Sequence, residues 1–179
     1  ESGTALSGNW TDGIYLSTDD KWDISDKLLA TYNHENGLLA GEVLNGSAEI
    51  ALSGVSEGSY YILVRSDIYN DEKAGTSAAE EAQNLVATAI TVSLPELTIG
   101  SAEKGTFTGS GDFAVYKFTQ QNGQAMTVDL ESLASAANME LYIGYGSAPT
   151  RENYDAKLQR ITDGSLTLNA PVGSRDVYV

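Results

Sequence analysis

The chain has 179 residues, of which 25 are acidic and 10 are basic, and its formal net charge is −15. A surface this negative repels phosphate backbones and anionic lipid headgroups, so nucleic acid and membranes are poor partners, whereas divalent cations are favoured. The absence of cysteine excludes disulfides and thiolate metal sites. No apolar run approaches the roughly 20 residues that a membrane-spanning helix needs, so we expect no membrane insertion.

Short apolar segments alternate with glycine-rich turns along the chain, which indicates strands. Asn122-Gly123 predicts a type I′ hairpin turn between two of them, and the only helix-like run, Ser77–Gln83, predicts an exposed turn. The predicted strands, in chain order, are Ile14–Ser17, Leu28–Tyr32, Ala48–Ser53, Tyr60–Ser66, Leu85–Val92, Leu97–Gly100, Thr106–Gly109, Phe113–Thr119, Met126–Leu130, Glu140–Tyr145, Ser165–Asn169 and Asp176–Val179.

A domain boundary is predicted at Leu94-Pro95. One strand ends at Val92, Pro95 cannot donate to a ladder, and a new apolar run begins at Leu97. Many short strands separated by closely spaced turns are typical of β-sandwiches. We therefore predict an all-β chain of two consecutive β-sandwich modules, 1–94 and 95–179.

The segment Glu140–Asp155 reads ELYIGYGSAPTRENYD. Leu141 and Ile143 alternate with Tyr142, and a glycine- and proline-containing loop follows and closes on a Tyr-Asp pair. This order resembles the core signature of the bacterial pre-peptidase C-terminal (PPC) domain, in which such a strand runs into a G-S-A-P-T loop and a Y-D pair. The resemblance implies a jelly-roll-like, non-catalytic sandwich appended to a secreted protein.

The first half resembles the CARDB family, the cell-adhesion-related domains found in bacteria, through an opening W-x-D segment, a G-x-Y-Y strand and a closing strand. The resemblance implies an immunoglobulin-like first module, although Gln83 stands where the family usually has asparagine. It also implies that this module lacks its first strands, and the PPC resemblance implies that the second module lacks its last strand. Either the chain is cut from a longer protein, or a neighbouring chain or another segment donates the missing strands. The matching residues are Trp10, Asp12, Tyr15, Leu16, Ser17, Asp19, Gly58, Tyr60, Tyr61, Val64, Asp67, Asn84, Val86, Ala87, Ile90 and Val92.

Two acidic clusters are candidate calcium sites, because calcium accepts six to eight oxygen ligands in irregular loops. A solvated turn explains the first cluster equally well, and that cluster does not match an EF-hand loop. An ordinary hydrophilic loop is the alternative for the second cluster. The first cluster comprises Asp19, Asp20, Asp23 and Asp26, and the second comprises Asp67, Asn70, Asp71 and Glu72, with Glu80 and Glu81 nearby in sequence.

Three other acidic positions have competing interpretations. Asn138-Met139-Glu140 stands where the PPC family usually has D-x-D, so the asparagine puts a family calcium site in doubt. Asp112 and Asp155 lie beside turns, where an aspartate most often bonds backbone N–H groups. We favour that turn-stabilising role for Asp112 and leave both roles open for Asp155.

Tyrosine is frequent, with ten residues against three phenylalanines. Exposed tyrosines on a sheet can stack on sugars or grip an extended polypeptide, because fixing the ring costs little entropy. Strand propensity and half-buried positions explain most of the ten better than ligand contact does. The candidate ligand contacts are Tyr142, Tyr145 and Tyr154.

The sequence predicts no enzyme. His34 is the single histidine, and it is predicted in a loop between Tyr32 and Gly37 without a nucleophile motif nearby. The predicted function is adhesion, binding or spacing by modules of a large secreted or cell-surface bacterial protein, with bound calcium stiffening the loops. The predicted partners are an extracellular polysaccharide, a protein, or copies of the chain itself through strand exchange. Two alternatives stay open: an accessory segment of a secreted peptidase or other hydrolase, and a strand-exchanging subunit of a fibre or surface layer.

Overall fold

The computed structural model describes residues 8–39, 42–70, 84–133 and 138–179. These ranges contain ten strands and no helix, and every ladder between the strands is antiparallel, which confirms the predicted all-β class. Over the same ranges, no helix is long and apolar enough to cross a membrane. The strands are β1 (Trp10–Ser17), β2 (Lys27–His34), β3 (Gly58–Arg65), β4 (Leu85–Val92), β5 (Lys117–Gln120), β6 (Met126–Glu131), β7 (Met139–Tyr145), β8 (Ala156–Ile161), β9 (Asp163–Leu168) and β10 (Arg175–Tyr178).

The chain forms two compact units. The first comprises Glu1–Leu52 with Gly58–Val92, and the second comprises Ser53–Glu57 with Ser93–Val179. The short segment Ser53–Glu57 precedes β3 in sequence but belongs to the second unit. One contact that holds it there is a hydrogen bond from the Ala148 N–H to the Ser56 hydroxyl, at 2.9 Å.

The first unit contains one four-stranded sheet in the order β2-β1-β3-β4. Tyr15 and Leu63 are cross-strand partners on one face, with 8% and 0% of their surface exposed. The Trp22 ring lies on that face, 6.0 Å from the Tyr15 ring, and the Arg65 guanidinium lies 4.0 Å from the Trp22 ring centre. Residues 8–39, 42–70 and 84–92 supply no second sheet, so the immunoglobulin-like type stays a prediction.

The second unit contains two sheets, a four-stranded one in the order β5-β10-β7-β8 and a two-stranded one of β6 and β9. Its buried core combines side chains from both sheets, which is the arrangement of a β-sandwich. Phe118, Ile143 and Val177 come from the larger sheet, and Leu168 comes from β9. Alternation along these strands sends every second side chain inward, so the intervening residues form the outer faces.

Several predicted elements differ from the structure. The predicted Asn122-Gly123 hairpin is wrong: Gly123 does adopt a positive φ of 72°, but β5 pairs with β10 and β6 pairs with β9. β8 was not predicted, and the strand predicted from Phe113 begins only at Lys117. Ser77–Gln83 lies outside the described residues. The predicted segments that form no strand are Ala48–Ser53, Leu97–Gly100 and Thr106–Gly109.

Candidate functional site

Five side chains gather on the outer face of the β7–β8 pair, and we call this cluster the tyrosine patch: Glu140, Tyr142, Arg151, Tyr154 and Lys157. Glu140 and Tyr142 are two residues apart on β7 and therefore share a face. Lys157 is the register partner of Tyr142 on β8. The intervening loop contributes the other two members.

The members of the tyrosine patch contact one another directly. The rings of Tyr142 and Tyr154 lie 5.4 Å apart at 59°, and the Lys157 ammonium lies 4.5 Å from the centre of the Tyr154 ring. The Tyr142 hydroxyl donates a 3.0 Å hydrogen bond to Glu140 Oε2, and Arg151 Nε lies 2.9 Å from the same oxygen. These contacts fix the orientation of Tyr142 from two sides.

The patch combines an aromatic surface with charged hydrogen-bonding groups. Hydrogen bonding to Tyr154, together with the nearby Glu140 carboxylate, raises the pKa of Lys157 above its usual value, so the ammonium is charged at neutral pH. The Arg151 side chain is 73% exposed and the Tyr154 residue is 36% exposed. An approaching ligand would meet the exposed part of the Tyr154 ring, two cation donors and one carboxylate acceptor.

The loop after β7 is shaped by glycine and closed by aspartate. A Cβ on Gly144 would lie 2.2 Å from the Ser147 carbonyl oxygen, so only glycine permits this close approach. Gly146 follows with a φ of 78°. Asp155 closes the loop: its Oδ2 accepts a 2.7 Å hydrogen bond from the Tyr145 N–H, and its own N–H donates to the Ile143 carbonyl.

Tyr145 lies on the opposite face of β7 from Tyr142. It packs against the buried core of the second unit, and the Arg175 guanidinium lies 3.5 Å from its ring centre. The structure therefore brings together two of the three predicted ligand tyrosines, Tyr142 and Tyr154, and places the third elsewhere.

The first acidic cluster forms an exposed turn between β1 and β2, and three of its carboxylates accept hydrogen bonds from the turn itself. Asp19 Oδ1 accepts from the Lys21 N–H at 2.8 Å, and Asp26 Oδ2 accepts from the Asp23 N–H at 2.8 Å. Asp20 is exposed in the same turn. The Ser25 hydroxyl and N–H both donate to Asp23, which lowers the pKa of that carboxyl below its ordinary value.

In the second acidic cluster, the structure describes Asp67 and Asn70. Both adopt positive φ angles, 49° and 56°, in the turn after β3. The Asp67 N–H donates to Asp12 Oδ1 at 3.1 Å. Asp71 and Glu72, like Glu80 and Glu81, lie outside the described residues. In the described ranges, no group of three or more histidine, aspartate or glutamate side chains is arranged to hold a metal ion; calcium stays a prediction.

Asp112 stabilises a turn, as favoured from the sequence. Its Oδ2 accepts hydrogen bonds from the N–H groups of Thr108 and Gly109, at 2.7 and 2.9 Å, and from the Thr108 hydroxyl. These bonds lower the pKa of Asp112. Asp155 likewise accepts a backbone N–H, so both aspartates show the turn-stabilising geometry.

His34 is the last residue of β2, not a loop residue as predicted. Its Nε2 lies 2.8 Å from Asp12 Oδ2, and its ring stacks on Trp10 at 4.5 Å. The Tyr32 ring centre lies 4.8 Å from that of His34, with the two rings tilted by 57°. An Asp-His pair is one half of a hydrolytic triad, but in the described part of the chain no serine or threonine hydroxyl is hydrogen-bonded to this ring.

Sequence reasoning missed Arg151 and Lys157 as members of the patch. Lys157 lies on the unpredicted strand β8, so its pairing with Tyr142 had no basis in the sequence. Arg151 lies within the glycine- and proline-containing loop. The G-S-A-P-T pattern and the Tyr-Asp pair of that loop were interpreted from the sequence, and its charged residues were not. The signal available for Lys157 was its position shortly after the Tyr-Asp pair that ends the loop.

No protein-family model, curated protein or solved structure matches the chain. The two family resemblances therefore rest on the residues quoted above.

Proposed function

We propose that the chain is a non-catalytic binding segment of a secreted or cell-surface bacterial protein, and that its second unit binds a saccharide through the tyrosine patch. The observation that carries this proposal is the contact between Tyr142 and Tyr154, with two cations and a carboxylate beside the rings. The extracellular location and the immunoglobulin-like and jelly-roll-like types rest on the CARDB and PPC resemblances.

The chemistry of the patch suits a sugar. The apolar faces and edges of tyrosine rings pack against the C–H groups of a pyranose, and a rigid ring loses little entropy when a ligand is bound. Specificity in such sites comes from a few placed polar groups. Glu140 would accept hydrogen bonds from sugar hydroxyls, and Arg151 and Lys157 would donate them.

Binding can be tested with the whole chain. We expect binding to at least one saccharide on a glycan array, followed by titration calorimetry with that saccharide. Tyr154→Ala should weaken this binding at least tenfold, which corresponds to about 1.4 kcal/mol, because it removes the exposed ring of the pair. Tyr154→Phe should retain most of the affinity, since it keeps the ring.

Tyr69→Ala is the matched control, because it removes a ring that is 66% exposed in the first unit. This variant should bind the saccharide as the unchanged chain does. Equal losses for Tyr69→Ala and Tyr154→Ala would contradict the proposal. Binding to immobilised collagen-type peptides but to no saccharide would also contradict it and would favour a protein ligand.

A further inference from the structure

Within the described part of the first unit, β4 is an outer strand without the usual protection of sheet edges. All eight of its residues, from Leu85 to Val92, pair with β3 on one side. On the other side it pairs with none of residues 8–39, 42–70 and 84–92. Its sequence, LVATAITV, contains no charge, glycine or proline. An outer strand that is long, uncharged and regular is a ready template for pairing with another strand.

The other outer strands of the chain are protected. β2 begins with Lys27, and its ladder with β1 is interrupted by a register shift between Ile14 and Tyr15. β8 contains Lys157, and its ladder with β7 is interrupted by a register shift between Met139 and Glu140. β5 has only four residues. Its free side is covered by residues 95–97, through hydrogen bonds of 3.0 Å from the Lys117 N–H to the Pro95 carbonyl and 2.8 Å from the Leu97 N–H to the Lys117 carbonyl. β6 contains Asp129 and Glu131, and β9 begins with Asp163 and Gly164, so the two-stranded sheet has charge on both of its outer strands. β4 is the exception in the described sheets.

The sequence of β4 is nearly symmetric about Thr88. An antiparallel pairing of two copies centred there places Val86 opposite Ile90, Ala87 opposite Ala89, and Thr88 opposite its equivalent. These are favourable cross-strand pairs of β-branched and small residues. Val86 is 61% exposed in the single chain, and the second copy would cover it.

The near-symmetry of β4 fits a second copy as the partner, and charge does not oppose contact at this strand. Two chains that each have a net charge of −15 repel one another over most of their surface. β4 is a neutral strip along which two copies can approach without placing like charges opposite each other. A two-fold axis through Thr88 uses the same strand from both copies, which gives a closed dimer and not an open fibre.

We propose that two copies of this chain associate by antiparallel pairing of β4 with β4 about Thr88. The two four-stranded sheets then join into one continuous sheet of eight strands. This contact uses the first unit and is independent of saccharide binding by the tyrosine patch.

The first test is the oligomeric state of the whole chain, measured by sedimentation equilibrium over a wide concentration range. We expect a reversible dimer. Thr88→Lys and Thr88→Glu each place like charges opposite each other across the two-fold axis, so each should raise the dimer dissociation constant at least tenfold. An equimolar mixture of the two variants should restore the dimer, since lysine then faces glutamate.

Thr31→Lys is the matched control, because it adds the same charge at an exposed threonine of β2, the other outer strand of this sheet. It should leave the dimer unchanged. A monomer at all concentrations, a mixture that fails to restore the dimer, or an equal effect of Thr31→Lys would each overturn the proposal.

The register can be tested separately, since the chain has no cysteine of its own. Thr88→Cys places two thiols on directly opposite residues, whose Cβ atoms are about 5 Å apart, and it should form a disulfide-linked dimer on mild oxidation. Thr91→Cys places the thiols about 20 Å apart along the strands and should remain unlinked. Equal cross-linking of both variants would overturn the proposed register.

Discussion

Gln120 lies fully buried at the end of β5 and satisfies its whole side-chain amide within the second unit. Its Nε2 donates to the carbonyls of Gln124 and Asn169 at 2.8 and 3.1 Å, and its Oε1 accepts from Arg175 Nε at 2.9 Å. A buried amide is costly only when it lacks partners. Here it links β5 to the end of β9 and to β10, so it joins strands of both sheets.

Lys117 is a second polar residue that ties separate segments together. It forms an ion pair with Glu57, and Asp176 Oδ2 lies 3.9 Å from its Nζ. Hydrogen bonding to Glu57, aided by the charge of Asp176, raises the pKa of Lys117 above its ordinary value of 10.5. A raised pKa in the folded state stabilises the fold below that ordinary value, and the stabilisation is lost as the pH rises through the raised pKa.

We therefore expect Lys117→Met to lower the free energy of unfolding at pH 8, where the ion pair is intact. The difference between the variant and the unchanged chain should shrink above pH 10.5, as Lys117 loses its proton. Urea unfolding at both pH values measures this difference. Lys104→Met, at an exposed lysine of the same unit, should show no such pH dependence, and a constant Lys117→Met effect across the range would contradict the expectation.

At the scale of elements, the turn between β1 and β2 is built from short-range hydrogen bonds and one aromatic anchor. Asp19, Asp23 and Asp26 accept backbone N–H groups within the turn, and Trp22 packs on Tyr15 and Arg65. The sequence indicated the turn and its charge. It did not indicate that the carboxylates bond the turn's own backbone, because that depends on dihedral angles which the residue types alone leave open.

The calcium prediction for this turn can be tested by thermal unfolding in EDTA and then in excess calcium. Calcium that binds only the folded chain should raise the midpoint, through about 2.7 kcal/mol of added stability at a hundredfold excess over its dissociation constant. Asp23→Asn combined with Asp26→Asn should abolish the rise, whereas Asp163→Asn, on β9, should retain it. An unchanged midpoint would contradict the prediction and leave the turn stabilised by its own hydrogen bonds.

Some strands are clearly indicated by their sequences and others are not. This difference decides which members of the tyrosine patch could be predicted. β3 and β7 are rich in tyrosine and branched aliphatic residues, which favour strands, so their positions were predicted. β8 reads AKLQRI, whose residues are good helix formers and show no clear alternation. Without β8, Tyr142 and Tyr154 could be proposed as ligand contacts, but Lys157 could not be placed beside them.

At the scale of the whole molecule, local patterns determined the fold class but not the pairing of strands. The Asn122-Gly123 turn exists, yet the strands on either side join different sheets, since their partners lie some 30 to 60 residues away in sequence. Which strands pair depends on long-range burial, as in the core formed by Phe118, Ile143, Leu168 and Val177. A short stretch of sequence therefore does not show which distant strand it will pair with.

Each unit can be monitored separately during unfolding. Both tryptophans, Trp10 and Trp22, belong to the first unit, whereas Ile143 is fully buried in the second. Ile143→Ala should lower the free energy of unfolding of the second unit by about 2–5 kcal/mol, because it removes buried methyl groups and leaves a cavity. Urea unfolding followed by far-ultraviolet circular dichroism should detect this loss.

Tryptophan fluorescence, recorded on the same Ile143→Ala samples, should show the transition of the first unit at its original urea concentration. Val172→Ala is the matched control, since Val172 is fully exposed in the second unit and its truncation should change neither signal. A fluorescence transition that moves as far as the dichroism transition would show that the chain unfolds in one step.

The position of β10 has a mechanical consequence. β10 lies between β5 and β7, with antiparallel ladders on both sides. A pull on the chain at Val179 therefore strains two rows of hydrogen bonds together and cannot peel the strand away from a single neighbour. We therefore expect the second unit to resist tension that is applied through this strand.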